Sequence, residues 1–323
     1  MSVPDLVERA RGGEPRAVAR LISLVEDELP ALRDVMAALA PHTGHAQIVG
    51  LTGSPGVGKS TTTSALVREL RAAGRRVGVL AVDPSSPFSG GALLGDRVRM
   101  GDHALDDGVY IRSMAARGHL GGLAWTTPQA LRVLDAAGFD VVLIETVGVG
   151  QSEVEIAGLA DTTMVLLAPG MGDGIQAAKA GILEIGDVYV VNKADRDGAG
   201  QVSRDLRGML ALSQRRADAW EQPIVKTVAQ TGDGIAEVVV ALDEHRAWLE
   251  QSGELQARRV RRARAEIEAI AVAALRTRWG AVDGRGDLDA LARAVVAGDS
   301  DPYRAADELV ADASDLKPGL GNQ

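Results

Sequence analysis

One short stretch limits what this chain can fold into more than any other. Gly53-Ser54-Pro55-Gly56-Val57-Gly58-Lys59-Ser60 satisfies the spacing G-x-x-x-x-G-K-[ST] in full. The apolar run Ile48–Thr52 leads into it, and a helical pattern from Thr61 to Ala73 leads out. Strand, glycine loop and helix in that order form a cradle for phosphate. The glycines let successive backbone N–H groups turn toward phosphate oxygens. The start of the helix adds favourable partial charge. Lys59 is expected at the β- and γ-phosphates, and Ser60 at Mg²⁺.

A phosphate loop of this kind belongs in an open α/β sheet, and the rest of the chain agrees. Short apolar runs recur at Val77–Val82, Val109–Ile111, Val141–Ile144, Met164–Ala168, Val188–Val191 and Ile224–Val228. Most are continuous rather than alternating, as expected of strands covered on both faces. Helical stretches lie between them. The expected fold is therefore a mostly parallel P-loop NTPase sheet flanked by helices. Aromatic residues are only 3% of the chain, so its core must rest on Ala, Val, Leu and Ile. Residues 1–44 read as an N-terminal helical arm, with Val18, Leu21, Ile22 and Val25 at helical spacing. Residues 45–250 read as the nucleotide domain, and residues 251–323 as a helical C-terminal arm without strands.

Ligands of such sheets sit at the carboxyl ends of the strands. After the run Val188–Val191 comes Asn192-Lys193-Ala194-Asp195. In GTPases N-K-x-D at this place reads guanine. A carboxylate at Asp195 accepts from the N1–H and N2–H₂ edge, which adenine lacks, and such a site rejects the wrong base strongly. Lys193 is expected to lie along the base plane. Thr227-Val228-Ala229 follows the last strand and offers backbone N–H groups to guanine O6.

Two further strands end in carboxylates, at Asp83 and at Glu145, and Asp96 follows in Leu94-Gly-Asp-Arg. With Ser60, these are the candidate Mg²⁺ and hydrolysis residues, since Mg²⁺ prefers oxygen and keeps several waters. Glu145 stands where many GTPases have the Asp of D-x-x-G, and its greater length suggests action through water. No glutamine takes the water-orienting place of the small GTPases. Slow turnover, raised by a partner, is the expectation.

Taken together, Gly53–Thr61, Val82-Asp-Pro-Ser-Ser-Pro87 and Glu145-Thr-Val-Gly-Val-Gly-Gln-Ser-Glu153 resemble the MeaB/ArgK/MMAA group of P-loop GTPases. Arg112–Gly122 and Pro169-Gly-Met-Gly-Asp-Gly-Ile-Gln176 reinforce the resemblance, which runs through roughly residues 15–250. It implies a GTPase that serves as chaperone to an adenosylcobalamin-dependent methylmalonyl-CoA mutase or a related acyl-CoA mutase. It also implies a homodimer, a shell of Asp83, Asp96 and Glu145, and a nucleotide-sensing segment at Pro169–Lys179. An older family label, an arginine-transport kinase, is a competing reading, as is a GTPase metallochaperone.

With no cysteine, thiolate metal sites and disulfides are excluded. The net charge of −9 disfavours nucleic acid and anionic membrane as partners. No apolar run approaches a membrane span of about 20 residues. The acidic N-terminus does not read as a signal peptide, so the cytoplasm is expected. The arginines at 258, 259, 261, 262 and 264 read as a solvated helix face, and the five histidines as surface or cap residues.

Overall fold

The computed structural model describes residues 2–26, 31–84, 101–103, 105–116, 126–146, 152–170, 182–212, 219–278 and 286–314. The chain divides into two compact units, Met1–Arg259 and Val260–Gln323.

Three helices open the first unit: α1 (Val3–Arg11), α2 (Pro15–Glu26) and α3 (Leu32–Leu39). Then come β1 (Gln47–Thr52), α4 (Lys59–Ala72), β2 (Val77–Pro84), β3 (Val109–Ala116), α5 (Thr127–Ala136), β4 (Val141–Thr146) and α6 (Ser152–Leu159). They are followed by β5 (Thr162–Leu167), α7 (Ile182–Ile185), β6 (Val188–Val191), α8 (Ala199–Leu212), β7 (Ile224–Lys226) and α9 (Ile235–Ser252). All seven apolar runs are strands. They form one sheet in the order β3-β2-β4-β1-β5-β6-β7, and every neighbouring pair is parallel.

Strands β1, β4 and β5 are buried along their whole length, which is why their sequences do not alternate. Their side chains still alternate between two cores. Val49, Leu51, Val141 and Leu143 meet Leu66 and Leu70 of α4 and Val238 of α9. Ile48, Val142 and Ile144 meet Leu131 and Leu134 of α5 and Ile156 of α6. Leu21, Ile22 and Leu39 of the N-terminal helices are fully buried in that second core. Each such side chain contributes about 1.5–3 kcal/mol by leaving water. An ion pair between Glu26 and Arg112 also fastens α2 to β3. The N-terminal helices thus belong to the nucleotide domain's core.

At the amino ends of the strands, two buried aspartates join the central strands. Asp161 donates its N–H to the Ile48 carbonyl (2.8 Å) and accepts the Ile48 N–H on its side chain (3.1 Å). Asp187 makes the same pair of contacts with Thr163, both at 2.8 Å. Each carboxylate then meets an arginine of α10 (Glu254–Arg278). Arg258 grips Asp187 with two nitrogens, at 2.8 and 2.9 Å. Arg259 reaches Asp161 at 2.9 Å, and also the carbonyls of Gly44 and Ala46. For Arg258 and Arg259 this corrects the expectation of a solvated face, while Arg261 and Arg264 are exposed as expected: the aspartates provide buried partners that a charge pattern does not reveal. Burial is the largest single influence and would lower the Arg258 pKa, but the hydrogen bonds to Asp187 together with the negative charges of Asp187, Glu254 and Asp161 hold the guanidinium above its ordinary value.

His245 corrects a second expectation, because it is fully buried rather than superficial. Its Nδ1 shares a hydrogen bond with Thr162 Oγ1 (2.9 Å), and its ring stacks on Trp248 (5.9 Å between centroids) beside Trp220 (4.9 Å). Burial pushes its pKa down to about 4, with the Arg258 charge helping and Asp187 opposing, so the ring is neutral near pH 7.

The second unit contains the remainder of α10, then α11 (Gly286–Ala297) and α12 (Pro302–Ser314), which pack on one another. Val260, Ile267, Ile270, Val272 and Leu275 stand exposed along α10. Among the described residues no helix is long and apolar enough to cross a membrane.

Candidate functional site

The glycine loop sits at the carboxyl end of central strand β1, and its glycines are fixed there by what surrounds them. Gly53 has φ of 142°, and a Cβ on it would come within 2.4 Å of the Leu166 carbonyl oxygen of β5. Gly58 has φ of 98°, and a Cβ there would come within 2.4 Å of Asn192 Nδ2. Neither place admits another residue without a backbone shift. Helix α4 begins at the next residue, Lys59. The Lys59 side chain turns back into its own loop and donates to the carbonyls of Gly53 (2.5 Å) and Ser54 (3.4 Å). It is only 8% exposed, so its charge is poorly screened by water.

Asn192 connects this loop to the opposite wall. Its amide nitrogen donates to the Val57 carbonyl (2.9 Å). Its amide oxygen accepts from Thr227 Oγ1 (3.2 Å) and the Ala229 N–H (3.1 Å). Lys193, with φ of 56°, is the one described non-glycine residue in the left-handed region. That geometry costs roughly 1–2 kcal/mol. It is held by the neighbouring Asn192 contacts, by the Ala194 N–H on the Thr227 carbonyl (3.0 Å) and by Lys193 Nζ on the Gly56 carbonyl (2.6 Å). The lysine therefore bars the space between the two loops. Asp195, two residues on, is exposed and takes no hydrogen bond among the described residues, so its carboxylate is available to a base. The N–H groups of Val228 and Ala229 are engaged, by the Asp233 carbonyl and by Asn192. A guanine O6 placed there competes with both.

On the other side of Lys59 lies Glu145, at the end of β4 and 1% exposed. Its two oxygens accept from Ser60 Oγ (2.6 Å) and Thr63 Oγ1 (2.9 Å). Ser60 and Thr63 are three residues apart on α4 and so share a face. The sequence pattern did not single out Thr63, although the hydroxyl-rich run Ser60-Thr61-Thr62-Thr63 signals it. A hydroxyl joined to a carboxylate is a hard oxygen donor set, which suits Mg²⁺; that ion takes one or two protein ligands and keeps its waters. Among the described residues no three His, Cys, Asp or Glu side chains gather to hold a metal ion, here or elsewhere. Asp83 is the penultimate residue of β2, which β4 separates from β1. Asp96 and most of Pro169–Lys179 lie outside the described residues.

Loop, reader and hydroxyl–carboxylate pair thus gather at the carboxyl ends of β1, β4 and β6. Chemically, such an arrangement offers N–H groups and a lysine to phosphate oxygens and a carboxylate to the donor edge of a purine. Residues 18–282 match the family described as methylmalonyl Co-A mutase-associated GTPase MeaB. A Pyrococcus abyssi protein named among the GTPases is 47% identical, with 95% of this chain and 96% of that one covered. The GTPase ArgK of Escherichia coli is 37% identical over 79% of each chain. The methylmalonic aciduria type A homolog of Mus musculus, a mitochondrial protein, is 42% identical over 65% of this chain and 52% of its own. The crystal structure of an LAO/AO transport system kinase superposes with a TM-score of 0.73 at 27% identity, covering 97% of both chains.

Proposed function

The chain belongs to the methylmalonyl Co-A mutase-associated GTPase family, related to ArgK, and on that premise we propose that it binds GTP with Mg²⁺, hydrolyses it, and so gates an adenosylcobalamin-dependent acyl-CoA mutase. One observation carries the GTPase half. Asn192 fastens the guanine-reading loop to the phosphate loop by a buried hydrogen bond, so base and phosphates are presented to one rigid site.

In this reading Gly53, Ser54, Gly56, Val57 and Gly58 wrap the β-phosphate with backbone N–H groups, Pro55, which has no N–H, stiffens the turn between them, and Thr61 continues that wrap at the helix start. Lys59 leaves its loop carbonyls for the β- and γ-oxygens. A bound Mg²⁺ neutralises charge on those oxygens. Ser60 would hold that ion through its hydroxyl oxygen, and Glu145, held by Thr63, would act on it through water. Asp83 and Asp96 complete the shell. Water attacks the γ-phosphorus, the bond to the β–γ bridging oxygen breaks, and GDP and inorganic phosphate separate. The mutase is the partner that the family's description names. Pro169–Lys179, which follows β5, is the proposed relay to it.

The test is single-turnover GTP hydrolysis, with and without a purified cobalamin-dependent mutase from the same organism. Hydrolysis is expected to rise at least about tenfold with the mutase, a modest share of what partner proteins give other GTPases. An unchanged rate with every such mutase counts against the chaperone role, while GTP turnover alone would keep the GTPase. Phosphate appearing on an acceptor rather than in water would favour a kinase.

The exposed apolar side chains of α10 motivate a second proposal, a homodimer held by the C-terminal helices. A chain ended after Arg259 retains the buried arginines and is expected to be monomeric by light scattering. A truncated chain that stays dimeric moves the interface into the first unit.

A further inference from the structure

Three of the strands that carry the proposed nucleotide site, β1, β5 and β6, are also the three that the two buried aspartates join. The phosphate loop follows β1, the proposed relay follows β5, and the guanine reader follows β6. Asp161 stands immediately before β5 and ties it to β1 through Ile48. Asp187 stands immediately before β6 and ties it to β5 through Thr163. Strand β6 is only four residues long, Val188–Val191. Asp187 and Asn192 are therefore its two ends, separated by roughly 17 Å at about 3.3 Å per residue. A strand that short, buried at every position, has no slack to absorb a shift at one end.

Both aspartates are gripped by consecutive arginines of one helix. Arg258 also donates to the Asp161 carbonyl (2.9 Å), so a single side chain touches the feet of both β5 and β6. Arg259 adds Gly44 and Ala46, the residues that enter β1. The first turns of α10 thus hold the relative register of all three nucleotide strands, from the end of the sheet opposite the nucleotide.

We propose that Arg258 and Arg259 are positioning residues for the nucleotide site, and that this clasp makes the C-terminal helix a handle on nucleotide release. A partner or second copy that pulls or rotates α10 shifts the feet of β5 and β6. The reader and the phosphate loop then separate, and GDP leaves faster. Binding linkage requires the reverse as well, so nucleotide must tighten the clasp by the same factor. This rests on the reading that the chain binds guanine nucleotides.

The experiment measures release of a fluorescent GDP analogue from the full chain. Arg258→Met with Arg259→Met is expected to speed release at least about fivefold, the lower end of ordinary coupling between sites. The Lys pair, which keeps charge but loses the two-pronged grip, is expected to fall between that variant and the wild type. Arg11→Met is the control, because it removes an exposed ion pair with Glu8 on α1 that touches neither aspartate nor the residues that enter β1. It is expected to stay within about twofold of the wild type. Release from the Met pair equal to that of the control overturns the clasp. If the Met pair does not fold, hydrogen exchange of residues 254–262 in the wild type decides: protection that rises with GDP supports the clasp, and unchanged protection overturns it. A wild type that binds no GDP would remove the nucleotide reading and the clasp together; normal binding with insensitive variants removes the clasp alone.

Discussion

Replacing Lys59 by alanine is expected to lower single-turnover GTP hydrolysis by at least about 10²–10³-fold, the usual loss when one preorganised charge stabiliser is removed. The size follows from where the ammonium sits. It is 8% exposed and is held by two carbonyls of its own loop, at 2.5 and 3.4 Å. A phosphate entering the loop therefore meets a cation that water has already left. Transfer of the lysine from carbonyls to γ-phosphate oxygens strengthens as charge develops there. Triphosphate binding should weaken more than diphosphate binding, because GDP has no γ-phosphate to lose. Lys59→Met keeps most of the side-chain volume and separates charge from packing. Radiolabelled phosphate release measures the rate, and competition between GTP and GDP measures the selectivity. Turnover within about threefold of the wild type in both variants, under half of one pKa unit in energy terms, would place the chemistry elsewhere.

Asp195→Ala is expected to erase most of the preference for guanine over adenine, a change of at least about 100-fold in the GDP-to-ADP affinity ratio. A site built to accept two donors can discriminate by up to roughly 10⁴–10⁵. The exposed carboxylate supplies that acceptance, while the hydrogen bonds around it belong to Asn192, Lys193 and Ala194. Removing Asp195 therefore leaves the loop built. Asp195→Asn sharpens the test. An amide offers one acceptor and one donor, which complements the N1–H and C2 carbonyl of xanthine, so preference should move to xanthine nucleotides. Asn192→Ala should act differently. It strips partners from Val57, Thr227 and Ala229, at about 1–3 kcal/mol for each buried group left unmade, and weakens all nucleotides alike. Isothermal titration with guanine, adenine and xanthine diphosphates separates the three outcomes. A guanine preference that survives in Asp195→Ala refutes the assignment of the reader.

Why were some of these features readable from the sequence and others not? The phosphate loop and the N-K-x-D were readable because each is local, and because a strand and a loop placed them. All seven strands were readable for the same reason: each buried strand is a continuous apolar run. The order of those strands was not, since it depends on which way each crossover helix folds. Glu145 was found from its strand and Ser60 from the phosphate loop, but not Thr63, nor that both hydroxyls, 85 and 82 residues away in the chain, bond the one carboxylate. The arginines at 258 and 259 misled for a related reason. A run of charge on a helix usually means water, and only the fold brings Asp161 and Asp187 beneath it. His245 misled because a lone histidine carries no period or spacing of its own.

The aromatic cluster around His245 gives the protein a dye of its own. Trp220 and Trp248 press on that ring, and Trp220 Nε1 donates to the carbonyl of Asp187, the residue that Arg258 grips. Indole emission is dimmed far more by a protonated imidazole than by a neutral one, and it changes colour when water reaches the ring. Light from this corner of the molecule therefore varies with the state of the sheet's floor, at a distance from the cleft where purines absorb and quench. With Trp125 and Trp279, the other two indoles of the chain, replaced by phenylalanine, a stopped-flow trace of indole emission can follow the foot of the sheet while a labelled nucleotide follows its top, so the order in which the two ends move becomes a matter of timing on a single sample.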